Sequence, residues 1–289
     1  MQLSILENSS LAPYCSMRAG GNPKYICFPE NASELRAVIS LMREKDEKTI
    51  ILGNASNILF SDNGYDGAVI FTSRINKTEV SGCKITAECG ASLSSLASFA
   101  AKESLTGFEF AYGIPGTVGG GVFMNAGAYG GDISNCFTEA LCLAPDLKVV
   151  VLTRDEMGFS YRKSILSENG YILLKASFEL EKGEPDIIKA TMDKYMKLRK
   201  EKQPLEYPSC GSAFKRPANA FAGALIEQCG LKGISINGAE VSEKHAGFII
   251  NKNNAKADDI IKLIDYVSNT VFEKTGIRLE PEIRIIQNK

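Results

Sequence analysis

Five segments carry side chains or backbone that could do chemistry. The first, Gly53-Asn54-Ala55-Ser56-Asn57, directly follows the apolar run Ile50 to Leu52. Small residues there let backbone N–H groups approach a phosphate, and Ser56 and Asn57 add side-chain donors. A plain strand-to-strand turn accounts for the same residues and, taken alone, does so better. The run is neither G-x-G-x-x-G nor G-x-x-x-x-G-K-[ST], so the two commonest nucleotide fingerprints are absent. The second segment runs from Gly113 to Gly130 and contains Gly113, Ile114, Pro115, Gly116, Thr117, Gly119, Gly120, Asn125, Ala126 and Gly127. So many glycines cost conformational entropy on folding, which makes sense where backbone must lie against a flat ligand or take strained turns. Ile114, Val118, Val122, Phe123 and Met124 are interleaved with them, which suits a buried wall better than a glycine linker.

The remaining three are shorter. Tyr161-Arg162-Lys163-Ser164 offers an arginine able to fork onto a carboxylate or phosphate, or simply to stand on the surface. In Tyr207 to Pro217, Gly211 permits a tight turn that presents the Ser212 hydroxyl, and Lys215 and Arg216 supply positive charge for an anionic substrate. An ordinary surface turn with solvated charges fits these residues equally well. At the C-terminus, Glu280, Glu282 and Arg284 alternate along Leu279 to Ile286, which puts them on one face of a strand or marks a solvated edge. The single histidine, His245, lies far in sequence from Ser212 and is read as a structural hydrogen-bonding residue, so a hydrolytic Ser-His-Asp triad is a poor reading.

These segments must be positioned by a mixed α and β framework. Ser33 can cap a helix bearing Leu35, Val38, Ile39 and Met42, with short strands expected at 49–52, 57–60 and 68–72. Another strand at 84–88, a helix with Leu93, Leu96 and Phe99 on one face, and strands near 148–152 and 171–180 follow. The uncharged stretch from Phe110 to Gly131 approaches membrane-spanning length, but Pro115 and its glycines read as a loop system. A polar break at 181–185 precedes a charged helix reaching Lys202, and the last third holds helices at 220–229 and 258–274 and a strand at 282–286.

Bulk properties narrow the class further. At 289 residues two or three packed units are expected. A formal net charge of -1 gives no general pull toward nucleic acid or an anionic membrane, so anionic ligands must be held by local groups. The first residues lack a secretory pattern, which points to the cytoplasm. Eight cysteines without a C-x-x-C pair read as reduced, mostly buried thiols, and no metal site is expected.

In this order and at these separations, the five segments resemble the UDP-N-acetylenolpyruvoylglucosamine reductase (UDP-N-acetylmuramate dehydrogenase) family, over about Tyr14 to Ile286. The most specific parts are the Gly113 to Gly130 run, Tyr161-Arg162-Lys163-Ser164, Gly211-Ser212-Ala213-Phe214-Lys215 and the Glu282 strand, with Gly53 to Asn57 and Asp62 in support. The resemblance implies an α+β chain: a two-subdomain FAD-binding unit of the vanillyl-alcohol-oxidase type (1–75 and 76–184) and a C-terminal α+β substrate-binding domain (185–289). It implies FAD and NADPH as cofactors and a UDP-sugar substrate. Within the FAD site it places Gly53 to Asn57 at the pyrophosphate and the Gly113 to Gly130 wall along the flavin and adenosine, with Gly113, Ile114, Pro115, Gly116, Thr117, Gly119, Gly120, Asn125, Ala126 and Gly127 as its cofactor-binding residues. It assigns charge stabilisation to Arg162 and Glu282 and proton delivery to Ser212, and leaves Lys215, Arg216 and Arg284 as substrate contacts. With no histidine before His245, the FAD is expected to be non-covalent. The chain is short enough to match the family's form without an inserted tyrosine loop. Competing readings are another FAD-dependent oxidase on the same fold and a non-enzymatic flavin- or nucleotide-sugar-binding protein; oligomeric state is left open.

Overall fold

A computed structural model describes residues 4–288. The chain divides into two compact units. The first comprises the chain up to Ile5, Ile26–Asn54 and Ala68–Arg199; the second gathers Leu6–Tyr25, Ala55–Gly67 and Lys200–Lys289. The second unit is therefore not simply the last third of the chain, because two earlier segments are built into it.

In the first unit, helix α1 (Ala32–Glu44) buries Leu35, Val38, Ile39 and Met42, the stripe its spacing dictates. Its cap is not Ser33 but Asn31, whose side-chain oxygen accepts the Glu34 N–H at 2.9 Å, while the Glu34 carboxylate takes the Glu30 N–H. The reciprocal bonds at Asn31 and Glu34 satisfy donors that Ser33, already inside the helix, cannot reach. Beyond it lies a five-stranded antiparallel sheet in the order Val149–Thr153, Phe137–Leu143, Ile172–Glu179, Lys84–Glu88, Thr78–Ser81. Ala140 faces Ala176 and Ala176 faces Ala87 across neighbouring strands, and these small buried residues leave room for elements packed on that face. Phe108, Phe137 and Phe178 are fully buried, with Phe178 meeting the other two edge-on at 5.2 and 6.2 Å; each such side chain contributes about 1.5–3 kcal/mol of hydrophobic stabilisation.

The stretch expected as loops from Phe110 to Gly131 contains a helix, α3 (Val118–Met124), packed beside α2 (Leu93–Lys102). Glycine weakens a helix interior, yet three occur here in succession. Thr117 starts the helix by accepting the Gly120 N–H, and a Cβ on Gly121 would lie 3.0 Å from the Leu93 side chain. Glycine is thus required by close packing of the two helices, which overrides its low propensity. Helix α4 (Pro185–Lys202) follows the polar break.

In the second unit, an antiparallel sheet runs in the order Ser209–Ser212, Phe248–Asn251, Ala239–Val241, Ser235–Ile236. Over it lie α5 (Ala222–Gln228) and α6 (Ala257–Thr275), the latter burying Ile260, Leu263, Ile264, Val267 and Val271. Asp62 caps α6 from a distant part of the chain: its carboxylate accepts the N–H groups of Ala257 at 3.0 Å and Asp258 at 2.9 Å. The helix ends at Gly276, whose φ of 74° lets its N–H close on the Phe272 carbonyl. The terminal strand is shorter than its alternation suggests, spanning Arg284–Ile286, and pairs in parallel with Ile58–Phe60. No helix among the described residues is long and apolar enough to cross a membrane.

Candidate active site

The glycine-rich wall belongs to the first unit. Gly53 sits so close to Thr117 that a Cβ would lie 2.0 Å from its Oγ1, and the Asn54 amide donates to the Pro115 carbonyl at 2.9 Å. The two glycine-bearing loops, whose bonded residues Asn54 and Pro115 are 61 positions apart, are thereby one surface. Gly113 takes a φ of 90°, and its N–H donates to the Ser94 hydroxyl at 3.2 Å. Asn125 ends α3 in the left-handed region, its amide donating to the Ser160 carbonyl at 3.2 Å and its oxygen accepting the Ser134 N–H at 3.0 Å. Only a side chain with both a donor and an acceptor serves both neighbours.

That bond brings the third segment to the wall. Ser160 and Lys163 close a tight turn on each other through their main chains, with Tyr161 and Arg162 at its tip. Arg162 has a φ of 57°, a conformation costly for a residue with a Cβ, and its guanidinium reaches the Gly127 carbonyl at 3.5 Å. Ser164 is buried and anchors the turn by donating to the Phe123 carbonyl at 2.9 Å. Gly127, Asn125 and Arg162 therefore form one constellation.

The other two candidate catalytic groups, Ser212 and Glu282, belong to the second unit, where the backbone segments that bear them are paired. Gly211, at φ 74°, makes an irregularity in the strand pairing between Ser209 and Ser212. Ser212 emerges exposed, opposite Phe248 in register, and its hydroxyl makes no hydrogen bond among the described residues. The next residue, Ala213, accepts the Glu282 N–H at 2.8 Å, and the Lys215 N–H donates to the Glu280 carbonyl at 2.8 Å. Phe214 and Pro281 bridge between those bonds. Glu280 and Glu282 thus precede the terminal strand, in an extended stretch paired with Ala213 to Lys215. Asn57 joins the same cluster by donating its amide to the Glu282 carbonyl at 3.1 Å, and Ala55, on the other side of Ser56, holds a φ of 45°.

Of the candidate substrate contacts, Lys215 is ion-paired with Glu280, the Arg216 guanidinium lies 4.1 Å from the Phe221 ring centre, and Arg284 is exposed at the start of the strand. All are in the second unit. The eight cysteines are free. Burial pushes the thiols of Cys15, Cys89, Cys136, Cys142 and Cys210 up to about 12 and that of Cys27 to about 11, which leaves them unreactive at neutral pH.

Arg199 escapes a reading of the sequence. It sits near the end of a helix of alternating charges, where an arginine ordinarily means a solvated face. Its side chain instead lies against the wall: a Cβ on Gly113 would be 3.3 Å from its Cδ and Nε. Its Nε is buried and has no hydrogen-bond partner among the described residues. On the same helix, Tyr195 stacks on Tyr129 of the wall at 4.4 Å, and the Tyr129 hydroxyl donates to the Tyr195 carbonyl. No periodicity signal could have announced either contact.

Residues 23–153 match the family profile described as an FAD binding domain, and residues 203–286 match the UDP-N-acetylenolpyruvoylglucosamine reductase, C-terminal domain. Proteins called UDP-N-acetylenolpyruvoylglucosamine reductase are similar along nearly the whole chain. That of Latilactobacillus sakei is 45% identical, covering 99% of this chain and 95% of its own; that of Caldicellulosiruptor bescii is 48% identical, covering 98% and 91%. Among solved structures, the UDP-N-acetylenolpyruvylglucosamine reductase of Thermus caldophilus superposes with a TM-score of 0.84 at 31% identity, covering 99% of each chain.

Proposed function

The chain belongs to the UDP-N-acetylenolpyruvoylglucosamine reductase family, and from that premise we propose that it reduces UDP-N-acetylenolpyruvoylglucosamine to UDP-N-acetylmuramate, with NADPH as electron donor and non-covalently held FAD as carrier. The product supplies peptidoglycan synthesis, and the compartment is the cytoplasm. The three-part division at 1–75, 76–184 and 185–289 and the form lacking a tyrosine loop belong to the same proposal.

The residues suit FAD. A glycine-rich wall whose loops meet too closely at Gly53 and Thr117 for a Cβ, and a buried guanidinium N–H beside Gly113 with no hydrogen-bond partner among the described residues, fit a flat, anionic dinucleotide. Gly53 to Asn57, Gly113 to Thr117, Gly119, Gly120 and Asn125 to Gly127 would hold it, with Arg199 as an added donor. When bound, FAD supplies a ring that takes up a hydride and gives it back.

The chain's own groups then have distinct tasks. Hydride addition at the terminal carbon of the enolpyruvyl ether places negative charge on the neighbouring carbon and its carboxylate. Arg162, held in a strained conformation, stabilises that charge as a fixed cation; a preorganised donor of this kind is worth about 3–4 kcal/mol. In its protonated form Glu282 can donate a hydrogen bond to the developing charge, and the exposed Ser212 hydroxyl delivers a proton to the carbon that bears the charge. Lys215, Arg216 and Arg284 serve the phosphates of the UDP-sugar.

The observation that supports this reading is the main-chain bond from the Glu282 N–H to the Ala213 carbonyl, which makes the segment bearing the acid a backbone neighbour of the segment bearing the serine. A Ser212→Ala protein should bind FAD and accept electrons from NADPH, yet fail to pass them to the enolpyruvyl sugar. Reoxidation at the normal rate would remove Ser212 from the proton-donor role.

A further inference from the structure

The backbone that presents Ser212 is tied to the chain's single histidine. Ser242 begins a closed turn: its hydroxyl accepts the N–H groups of Lys244 at 3.2 Å and His245 at 3.3 Å, and its own N–H donates to the Phe248 carbonyl at 2.9 Å. Inside this turn the Gly247 N–H donates to His245 Nδ1 at 3.0 Å. The Gly247 carbonyl, on the other side of the same residue, accepts the Ala213 N–H at 2.8 Å, and the Ala213 carbonyl accepts the Glu282 N–H at 2.8 Å. Three hydrogen bonds in series thus run from the imidazole to the two residues proposed to handle the proton and the acid.

The ring is fixed as firmly as the relay. It meets Phe248 edge-on at 4.9 Å, and Phe248 is the register partner of Ser212. Two glycines make its berth: a Cβ on Gly223 would lie 3.2 Å from His245 Cε1, and one on Gly247 would lie 2.9 Å from it. A histidine that only filled space would not need its Nδ1 to accept. Here acceptance requires the neutral ring with its proton on Nε2, because an imidazolium offers no lone pair.

We infer that His245 is a positioning residue for the Ser212 and Glu282 pair: as a neutral acceptor it holds the Gly247 peptide, and through it Ala213, where the serine hydroxyl can reach the substrate carbon, and its protonation releases that hold. The inference rests on the function proposed above. The charged groups around the ring are Glu227 and Lys232, which pair at 3.0 Å, Lys202 at the end of α4, and Glu243 and Lys244 on its own turn. Burial lowers the affinity of the imidazole for its proton below the ordinary histidine value and outweighs an opposing hydrogen bond to its own backbone; Lys232 and Lys202 act in the same direction as burial, and Glu227 opposes them. The neutral form therefore holds at neutral pH, and the hold fails only on the acid side of about pH 6.5.

Stopped-flow measurement of the two half-reactions of the FAD-loaded enzyme, from about pH 5 to pH 8, tests this. In the unsubstituted protein, reoxidation by the enolpyruvyl sugar should fall toward acid while flavin reduction by NADPH does not show the same limb. His245→Asn places a non-titrating oxygen near the position of Nδ1; it should keep most of the reoxidation rate and lose the acid limb. His245→Ala should slow reoxidation about tenfold to a hundredfold at every pH, the cost of a misplaced reacting group. Gly223→Ala, which crowds the ring without removing it, guards against a variant that merely fails to fold and should slow reoxidation selectively. Overturning results are an acid limb that persists in His245→Asn, or normal reoxidation in both His245→Ala and Gly223→Ala. Should Ser212→Ala itself be reoxidised normally, the fault lies with the proposed role of Ser212; a dead Ser212→Ala beside an unaffected His245→Ala places it with the histidine.

Discussion

The side-chain amide of Asn57 donates to the main-chain carbonyl of Glu282 across 3.1 Å, and the main-chain N–H of Arg284 returns a bond of 3.1 Å to the carbonyl of Asn57. The last residue of the small-residue loop and the terminal acid are thus fastened together, although 225 positions separate them. The parallel pairing of Arg284–Ile286 with Ile58–Phe60 continues the same seam. Removing the amide in Asn57→Ala should cost about 1 kcal/mol of stability in urea unfolding. It should also slow reoxidation by the enolpyruvyl sugar more than reduction by NADPH, because Glu282 loses a support that flavin reduction does not use. Equal slowing of both half-reactions would show that the contact serves the fold alone.

Arg199 carries a buried donor with no partner among the described residues, which destabilises a protein until a ligand satisfies it. Arg199→Ala should leave the ligand-free protein at least as stable as before and weaken FAD binding by about tenfold or more, as loss of a charge-assisted hydrogen bond does. Fluorescence of released FAD reads the affinity. Arg199→Lys should not restore it, since an ammonium has no group at the place of Nε.

Asp62 supports the fold. Its carboxylate satisfies the first two N–H groups of α6 and sits at the positive end of that helix. Asp62→Ala should lower stability by about 1–2 kcal/mol. FAD affinity should stay unchanged, and a parallel loss of FAD would assign Asp62 to the ligand site instead.

Asp259 gives the fold an acid-sensitive bond. The Asn237 amide donates to its carboxylate at 2.7 Å and the Lys256 N–H at 3.0 Å, and the first of these holds its pKa below the ordinary aspartate value. A depressed carboxylate contributes stability that is present above the unfolded value of about 3.9 and is lost as pH falls through the lowered folded value. Urea unfolding from neutral pH downward should therefore show a steeper loss in the native protein than in Asp259→Asn below about pH 4. Identical pH dependence of the two would discount the bond.

Much of this arrangement can be read from the residues. The stripe of Ile260, Ile264, Val267 and Val271 fixes a helix by its period, and the interleaved apolar residues of the glycine-rich run mark it as a wall. What local pattern hides is whatever depends on packing or on distant partners. Three glycines in a row argue against the helix of Val118–Met124, and only Thr117 before it and Leu93 beside Gly121 show why it forms. The capping role of Asp62 and the burial of Arg199 lie in contacts with residues far along the chain, to which neither period nor propensity gives access. The bond between Asn57 and Glu282 is hidden in the same way, although each residue is legible as a candidate by its type.

One experiment bears directly on the proposed activity. Purified protein is loaded with FAD, reduced with NADPH in the absence of oxygen, and then mixed with UDP-N-acetylenolpyruvoylglucosamine while the flavin absorbance is followed. The yellow colour should bleach with NADPH and return with the sugar, with UDP-N-acetylmuramate formed in equal amount. A flavin that stays reduced in the presence of the sugar and recovers only when oxygen is admitted would contradict the proposed activity and point to an oxidase.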